Sequence, residues 1–405
     1  MMISRLLPVL AASLLGGAIA ALPGNGWAQD ATPVASPAVG EKTTAIVVSA
    51  TNDPLRVSGS DGLDHLEYDL LVTNGFAAPV TLTAIAVTAP DGETLLRLEG
   101  DALVTATQPL LGRTPMAEIP ASGTVAVVMD VTVPPDRAVE GVSHHITYAV
   151  APDAPVLSLI GSFEVDGPRL PVDPRPTTII APPLRGDGWM ANNGCCAAAS
   201  VHRAVRVPIG GTRIGKQEIF AIDWARLRDG EAFSGDGARP EDWYGFGAEV
   251  LAVADGTVVS IQEGYPEEIP LQPVTRVTRP EDYGGNAISL EIAPGVYAYY
   301  AHLEPGSVTV KAGDRVTTGQ VLGLLGNTGN SSGPHLHFGL IDDPDPLIGE
   351  SLPMAFDRWT LQGTFDMAAY EAADGGNASA ALIPLAAPEP QIGTLQLYLE
   401  VADFG

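Results

Sequence analysis

Cysteine is nearly absent from this chain: there are 2, and they are neighbours, Cys195-Cys196. Adjacent residues do not meet the separation an ordinary disulfide spans, so no long-range bridge holds the chain together. Two small buried thiols are the expected outcome for this pair, ahead of metal ligation. Basic side chains are scarce as well, with 21 Lys+Arg against 48 Asp+Glu and a formal charge of −27. Nucleic acid is thereby excluded as a partner, because phosphate backbones are bound by clustered Lys and Arg. Helical periodicity is hardly seen between about Leu184 and Leu361. Histidine is rare too, at 7 in 405 residues, so where the histidines stand is informative.

What is abundant are turn formers and apolar residues: 45 Gly, 35 Pro and 45% hydrophobic positions. That composition suits a folded, turn-rich, all-β chain rather than a disordered one. At 405 residues two domains are expected, since single cores stop growing near ~250–300 residues. The N-terminus reads as an export signal over residues 1–28. Arg5 gives a minimal positive region, Leu6 to Leu22 an apolar stretch, and Gly26-Trp27-Ala28 a small-x-small cleavage site, with Ala18-Ile19-Ala20 as a second one. A retained membrane anchor is the rival reading, disfavoured by a run that is short and rich in Gly and Ala. With no Cys nearby, lipidation is excluded. The mature protein is thus expected to be secreted or held in the cell envelope, without stable membrane insertion. Its oligomeric state is left open.

Residues 29–42 read as a Pro/Ala/Thr linker. From 43 to 165, strand-like runs at Thr44–Ser49, Leu66–Thr73, Val80–Thr88, Thr124–Val133 and Ser143–Val150 alternate with turns such as Asn74-Gly75 and Pro90-Asp91-Gly92. This spacing predicts an immunoglobulin-like β-sandwich. His65, His144 and His145 fall in it without partners at ligand spacing and are expected to be ordinary surface or strand residues. Residues 166–183, rich in Pro and Asp, read as a second linker. A second β-rich domain is expected over 184–361, followed by a poorly ordered tail over 362–405 with Thr394–Val401 as a peripheral strand.

The chemistry concentrates in the second domain. In His335-Leu336-His337-Phe338-Gly339-Leu340 the two imidazoles share one face of an extended strand, and Leu336, Phe338 and Leu340 share the other. In Val296 to Leu303 the same alternation puts Val296, Ala298, Tyr300 and His302 together. Imidazoles aligned on strands are what a zinc hydrolase needs: a neutral ligand nitrogen and a second ring to handle protons.

Several spaced blocks then agree in order with a known family. Tyr300-Ala301-His302-Leu303, Gly313-Asp314, Gly319-Gln320, Gly326…Thr328-Gly329 and Ser332-Gly333-Pro334-His335-Leu336-His337-Phe338 resemble the signature of the lysostaphin/LytM-type zinc metallopeptidases. Gly247…Ala252-Val253-Ala254-Asp255-Gly256 resembles the strand pair upstream of it. The likeness runs over about 192–357. It implies a β-rich LytM-type peptidase domain that cuts peptide bonds in bacterial peptidoglycan, with one Zn2+ per chain. It also implies Asp223 and His337 as ligands, with His302 and His335 as the catalytic imidazoles. Gly-rich turns, with Tyr299 or Tyr300, would line a groove for the peptide.

One position departs from the family. Its first ligand should stand four residues before Asp223, where this chain has Ile219, which cannot bind metal. Either the site is degenerate or another residue supplies the missing nitrogen. His202 is the candidate: if Val201–Val207 and Ile219–Trp224 form a hairpin with Arg206 opposite Ile219, His202 falls opposite Asp223. Three readings follow. The first is an active peptidoglycan endopeptidase. The second is a degenerate LytM-like domain that binds cell wall or regulates another wall hydrolase. The third is a structural surface protein.

Overall fold

Alternation along Asp64–Asn74 decides how the two halves of this protein meet. Leu66, Tyr68, Leu70 and Val72 turn to one side, and His65, Glu67 and Asp69 to the other, yet all seven are buried. In the computed structural model, which describes residues 42–372 and 379–405, the apolar side faces a second sheet and the charged side faces the C-terminal half of the chain. The chain is all-β, with a few short helical turns.

The N-terminal half is a sandwich. One sheet runs Ile46–Ala50, Asp64–Asn74, Thr124–Val133 and Thr107–Pro109, with Leu55–Ser58 pairing on Asp64–Asn74. The other runs Glu164–Asp166, Gly141–Val150, Val80–Thr88 and Thr94–Glu99. Val125, Val127, Met129 and Val131 from the first sheet meet Val80, Ile85, Val87 and Ile146 from the second in one apolar core. Two of the three histidines expected to be ordinary surface or strand residues are in fact buried. His144 receives the Tyr68 hydroxyl at 2.8 Å, and His65 lies 2.8 Å from Asp130. Burial inside a sandwich demands such partners, and each ring found one.

The C-terminal half is organised around a ten-stranded antiparallel sheet. Its order is Arg315–Val316, Gly256–Gln262, Ala287–Ala293, Val296–Ala301, Leu336–Ile341, Ile222–Arg226, Trp189–Asn193, Glu400–Asp403, Trp359–Phe365 and Leu382–Gln391. Leu336, Phe338 and Leu340 are fully buried, as their alternation predicts, against Trp224, Tyr300 and the small sheet Glu249–Leu251/Val321–Leu324.

Several expectations are corrected. Val201–Val207 is not a strand: Val201–Ala204 is a single helical turn, and the hairpin lies further on, between Val207–Ile209 and Arg213–Gly215. The stretch at 166–183 is not a free linker. Leu170–Pro171 pairs with Gly141–Val150, and Thr178–Ile180 runs parallel to Met354–Phe356, so each end is tied to one half. The tail is not poorly ordered where it is described. Glu400–Asp403 is inserted between Trp189–Asn193 and Trp359–Phe365, and Leu395, Leu399 and Ala402 are buried. Its misleading composition has a physical reason: Pro384, Pro388 and Pro390 lie on Leu382–Gln391, an edge strand whose outer side needs no amide donors. Cys195 and Cys196 are not free thiols but are joined in a disulfide across a cis peptide bond, with Cα atoms 3.0 Å apart.

The described residues all fall in one unit, Lys42–Gly405. The signal expected at 1–28, and all but the last residue of the linker expected at 29–42, lie outside them. Among the described residues no helix is long and apolar enough to cross a membrane.

Gln396 ties the tail to the sheet. It is fully buried, accepts from Trp224 Nε1 at 2.8 Å and donates to the carbonyls of Trp189 and Glu400 at 2.9 and 2.8 Å. Gln396→Ala therefore leaves buried polar groups without partners, each worth about 1–3 kcal/mol. Chemical denaturation is expected to read a loss of at least about 2 kcal/mol.

Candidate metal centre and peptide groove

Register across four adjacent strands builds the site. Asn193 stands opposite Asp223, Asp223 opposite His337, and His337 opposite Ala301. Directly opposed residues share a face, so Asp223 and His337 project together from the middle of the ten-stranded sheet. His337 Nδ1 lies 2.8 Å from Asp223 Oδ1. His202 arrives from outside the sheet, on its helical turn, and puts Nε2 3.1 Å from Asp223 Oδ2. One donor atom each from His202, Asp223 and His337 lie within 4.8 Å of one another.

The proton inventory suits a cation. His202 Nδ1 donates to the Ala221 carbonyl at 2.8 Å, which leaves the Nε2 lone pair aimed at the cluster. Asn193 donates to Asp223 Oδ2 at 2.8 Å and orients the carboxylate. Two imidazole nitrogens and one carboxylate oxygen, with the rest of the space open toward a groove, are donors that could hold one divalent cation. Burial alone would push the Asp223 carboxyl up, but His202, His335 and His337 around it hold it well below the usual carboxylate range.

His302 and His335 complete the cluster. By alternation His302 should point with Ala298 and Tyr300 into the core. Instead it sits just beyond the strand with φ +65°, and the left-handed residue swings the ring to the metal side. Its ring centroid lies 4.6 Å from that of His335 and 5.9 Å from that of His337. His302 Nδ1 donates to the Thr328 carbonyl at 2.7 Å, and His335 Nδ1 to the Gly333 carbonyl at 2.8 Å. Burial, reinforced by the neighbouring imidazoles, lowers His302 well below its ordinary pKa and keeps it neutral. The loop carrying Thr328 is fixed by two glycines, Gly285 and Gly329, at φ +60° and +72°. A side chain on either would collide with the backbone of the other's segment. His335 Nε2 lies 3.6 Å from Asp223 Oδ1.

A groove of about 1040 Å³ opens over this cluster, walled by Trp243, Leu271, Tyr283, Gly333 and Tyr370. Of the two tyrosines expected to line it, Tyr299 does, with its ring 6.1 Å from that of His337. Tyr300 is a core residue whose hydroxyl accepts from Val253 N.

The structure thus brings together all five residues singled out from the sequence: His202, Asp223, His302, His335 and His337. The hairpin proposed for His202 does not exist; a helical turn delivers it to the same place. Ile219 is buried in the core. Sequence reasoning missed Asn193 and Glu218, the latter with Oε2 3.9 Å from His202 Nε2. Asn193 ends a strand that was not foreseen, and only the pairing of that strand beside Asp223 gives it meaning.

A β-sheet presents histidines and an aspartate beside an open groove, and the model of Peptidase family M23 matches residues 243–347 of this chain. The matched stretch contains His302, His335 and His337 but neither His202 nor Asp223. Among curated relatives, the peptidoglycan DD-endopeptidase ShyA of Vibrio cholerae is 35% identical over 107 residues, 26% of this chain and 24% of that protein. The glycyl-glycine endopeptidase ALE-1 of Staphylococcus capitis is 50% identical over 56 residues, 14% of this chain and 15% of that one. The chain thus spans about a quarter of these relatives' length or less. Solved structures that align include the catalytic domain of lysostaphin from Staphylococcus simulans (20% identity, 41% of this chain and 88% of that one, TM-score 0.22). Another is a zinc containing peptidase from Vibrio cholerae (14% identity, 71% and 80%, TM-score 0.22).

The metal-free cluster has a pH signature. Burial would lower His202, but Asp223 and Glu218 outweigh it and raise the ring to about 9. A pKa raised above the unfolded value stabilises the fold fully below pH ~6.5, and that contribution is lost as pH rises through about 9. Chelator-treated protein is expected to lose stability on the order of 3 kcal/mol between pH 6 and pH 10. His202→Gln should flatten that dependence in denaturant titrations at the two pH values.

Proposed function

We propose that this chain is an extracytoplasmic zinc metalloendopeptidase that hydrolyses peptide bonds in the stem or cross-bridge peptides of peptidoglycan. The observation that carries the reading is the convergence of His202, Asp223 and His337, with donor atoms within 4.8 Å, beside His302 and His335. The named relatives, which are peptidoglycan endopeptidases, support the substrate class.

His202 Nε2, an Asp223 oxygen and a His337 nitrogen would hold one zinc, which when bound supplies Lewis-acid activation of water and of the scissile carbonyl. The remaining chemistry belongs to the two free imidazoles. Each commits Nδ1 to a backbone carbonyl and so presents the Nε2 lone pair to the groove. His335 Nε2, beside the Asp223 carboxylate, accepts the proton of the attacking water as general base. The imidazolium so formed at His335 then gives its proton to the leaving amine as the C–N bond breaks, while neutral His302, its ring 4.6 Å from that of His335, faces the scissile carbonyl from the other side. The walls of the groove keep an extended peptide aligned over both rings.

The degenerate reading rests on Ile219, and it requires the centre to lack a third donor. The approach of His202 to 3.1 Å from Asp223 favours catalysis over it.

Purified protein should contain about one zinc per chain by elemental analysis, and His202→Ala should lose it. His335→Ala and His302→Ala should keep the zinc while kcat on purified peptidoglycan fragments falls about 10²–10⁴-fold. Wild-type protein without zinc that still sediments with peptidoglycan would establish the binding module instead.

A further inference from the structure

The helical turn that delivers His202 is four residues long, and its N-terminal residue Ser200 makes no side-chain cap bond to it. A single turn does not stabilise itself in water, because nucleation fixes several residues for one hydrogen bond. What holds this one comes mostly from the sandwich. Arg203, next to His202, is wholly buried and reaches Glu67 at 2.8 Å and Asp69 at 3.4 Å. Arg206 Nε lies 2.7 Å from Asp69 Oδ2. Lys216 Nζ lies 2.9 Å from the same oxygen and donates to the Arg203 backbone carbonyl at 2.8 Å. Gln108 of the sandwich donates to the Ala198 carbonyl just before the turn, at 2.7 Å, and accepts from Arg206 at 3.2 Å. The side chains of Glu67, Asp69, Arg203 and Arg206 have no solvent exposure.

We propose that the N-terminal sandwich is a working part of the metal centre, with Asp69 and Gln108 as positioning residues that dock the His202 turn so that its imidazole meets Asp223 and His337. The inference rests on the reading of His202 as a zinc ligand. It follows from where the third donor comes from: the position four residues before Asp223, just ahead of the strand Ile222–Arg226, is taken by buried Ile219, and His202 stands instead on a helical turn outside the sheet. Carbonyls on either side of His202 are clamped, that of Ala198 directly by Gln108 and that of Arg203 through Lys216 on Asp69. Zinc affinity, and not fold stability alone, therefore depends on a surface of the other domain, as it does on the outer-shell partners of metal ligands generally.

The test uses the full chain with zinc(II), and cobalt(II) as a spectroscopic substitute. Asp69→Asn and Gln108→Ala are expected to raise the zinc dissociation constant about 10–100-fold in chelator competition. Both should shift the visible cobalt spectrum toward that of His202→Ala. Gln108→Ala leaves every buried charge paired, which keeps the experiment informative if Asp69→Asn does not fold. Ser60→Ala is the control. It removes a different contact between the halves, from Ser60 Oγ to Glu400 Oε2 at 2.6 Å, and is expected to leave zinc affinity unchanged. A folded Gln108→Ala with wild-type zinc affinity and cobalt spectrum overturns the proposal, and so does a Ser60→Ala that weakens zinc equally. If His202→Ala itself keeps zinc, the ligand assignment fails and takes this inference with it. If only His202→Ala loses zinc, the ligand stands and the sandwich is merely adjacent.

Discussion

Asp223 is a carboxylate taken out of water on the inner strand of a sheet, and the surrounding chain is arranged to answer that charge. Strand register sets His337 against one of its oxygens, a helical turn sets His202 against the other, and Asn193 donates from the next strand. An isolated buried carboxylate would be costly enough to take up a proton instead. Here it stays charged because every neighbour is a donor or a potential cation. The same arrangement suits a divalent ion.

A second buried charge, Asp69, plays the corresponding part between the two halves. Burial alone would raise it, yet Lys216, Arg206 and Arg203 bring it down to about 2. Buried ion pairs add little net stability, but breaking one by removing a partner is expensive, so they are effective at enforcing one geometry. The three cations come from the stretch that carries His202 and from the hairpin after it. Two charged clusters, one in the groove and one at the junction, are thus joined through a turn of four residues.

Much of the C-terminal half was legible because its strands alternate cleanly. Leu336, Phe338 and Leu340 announced a buried face, and His337 on the opposite face followed from the pleat. His302 shows where that logic stops, since a single residue at φ +65° beyond the strand end reverses its side. The tail was misread for a related reason: its prolines argue against a strand, but an edge strand tolerates them. The odd positions of Asp64–Asn74 look like a solvated face, and nothing local reveals that Arg203, Arg206 and Lys216 cover them.

The sequence by itself determined the residue types and their local spacing: a His-x-His strand, an aspartate in an apolar strand, glycines at the turns, and a surplus of acid. Those are nearest-neighbour properties, governed by pleat, turn chemistry and charge. Tertiary structure alone decided that His202 stands beside Asp223, because the turn that carries it is held by contacts with Glu67, Asp69 and Gln108, some 90 to 140 residues away along the chain. Distance in sequence carries no information about such docking; only packing two halves against each other creates it.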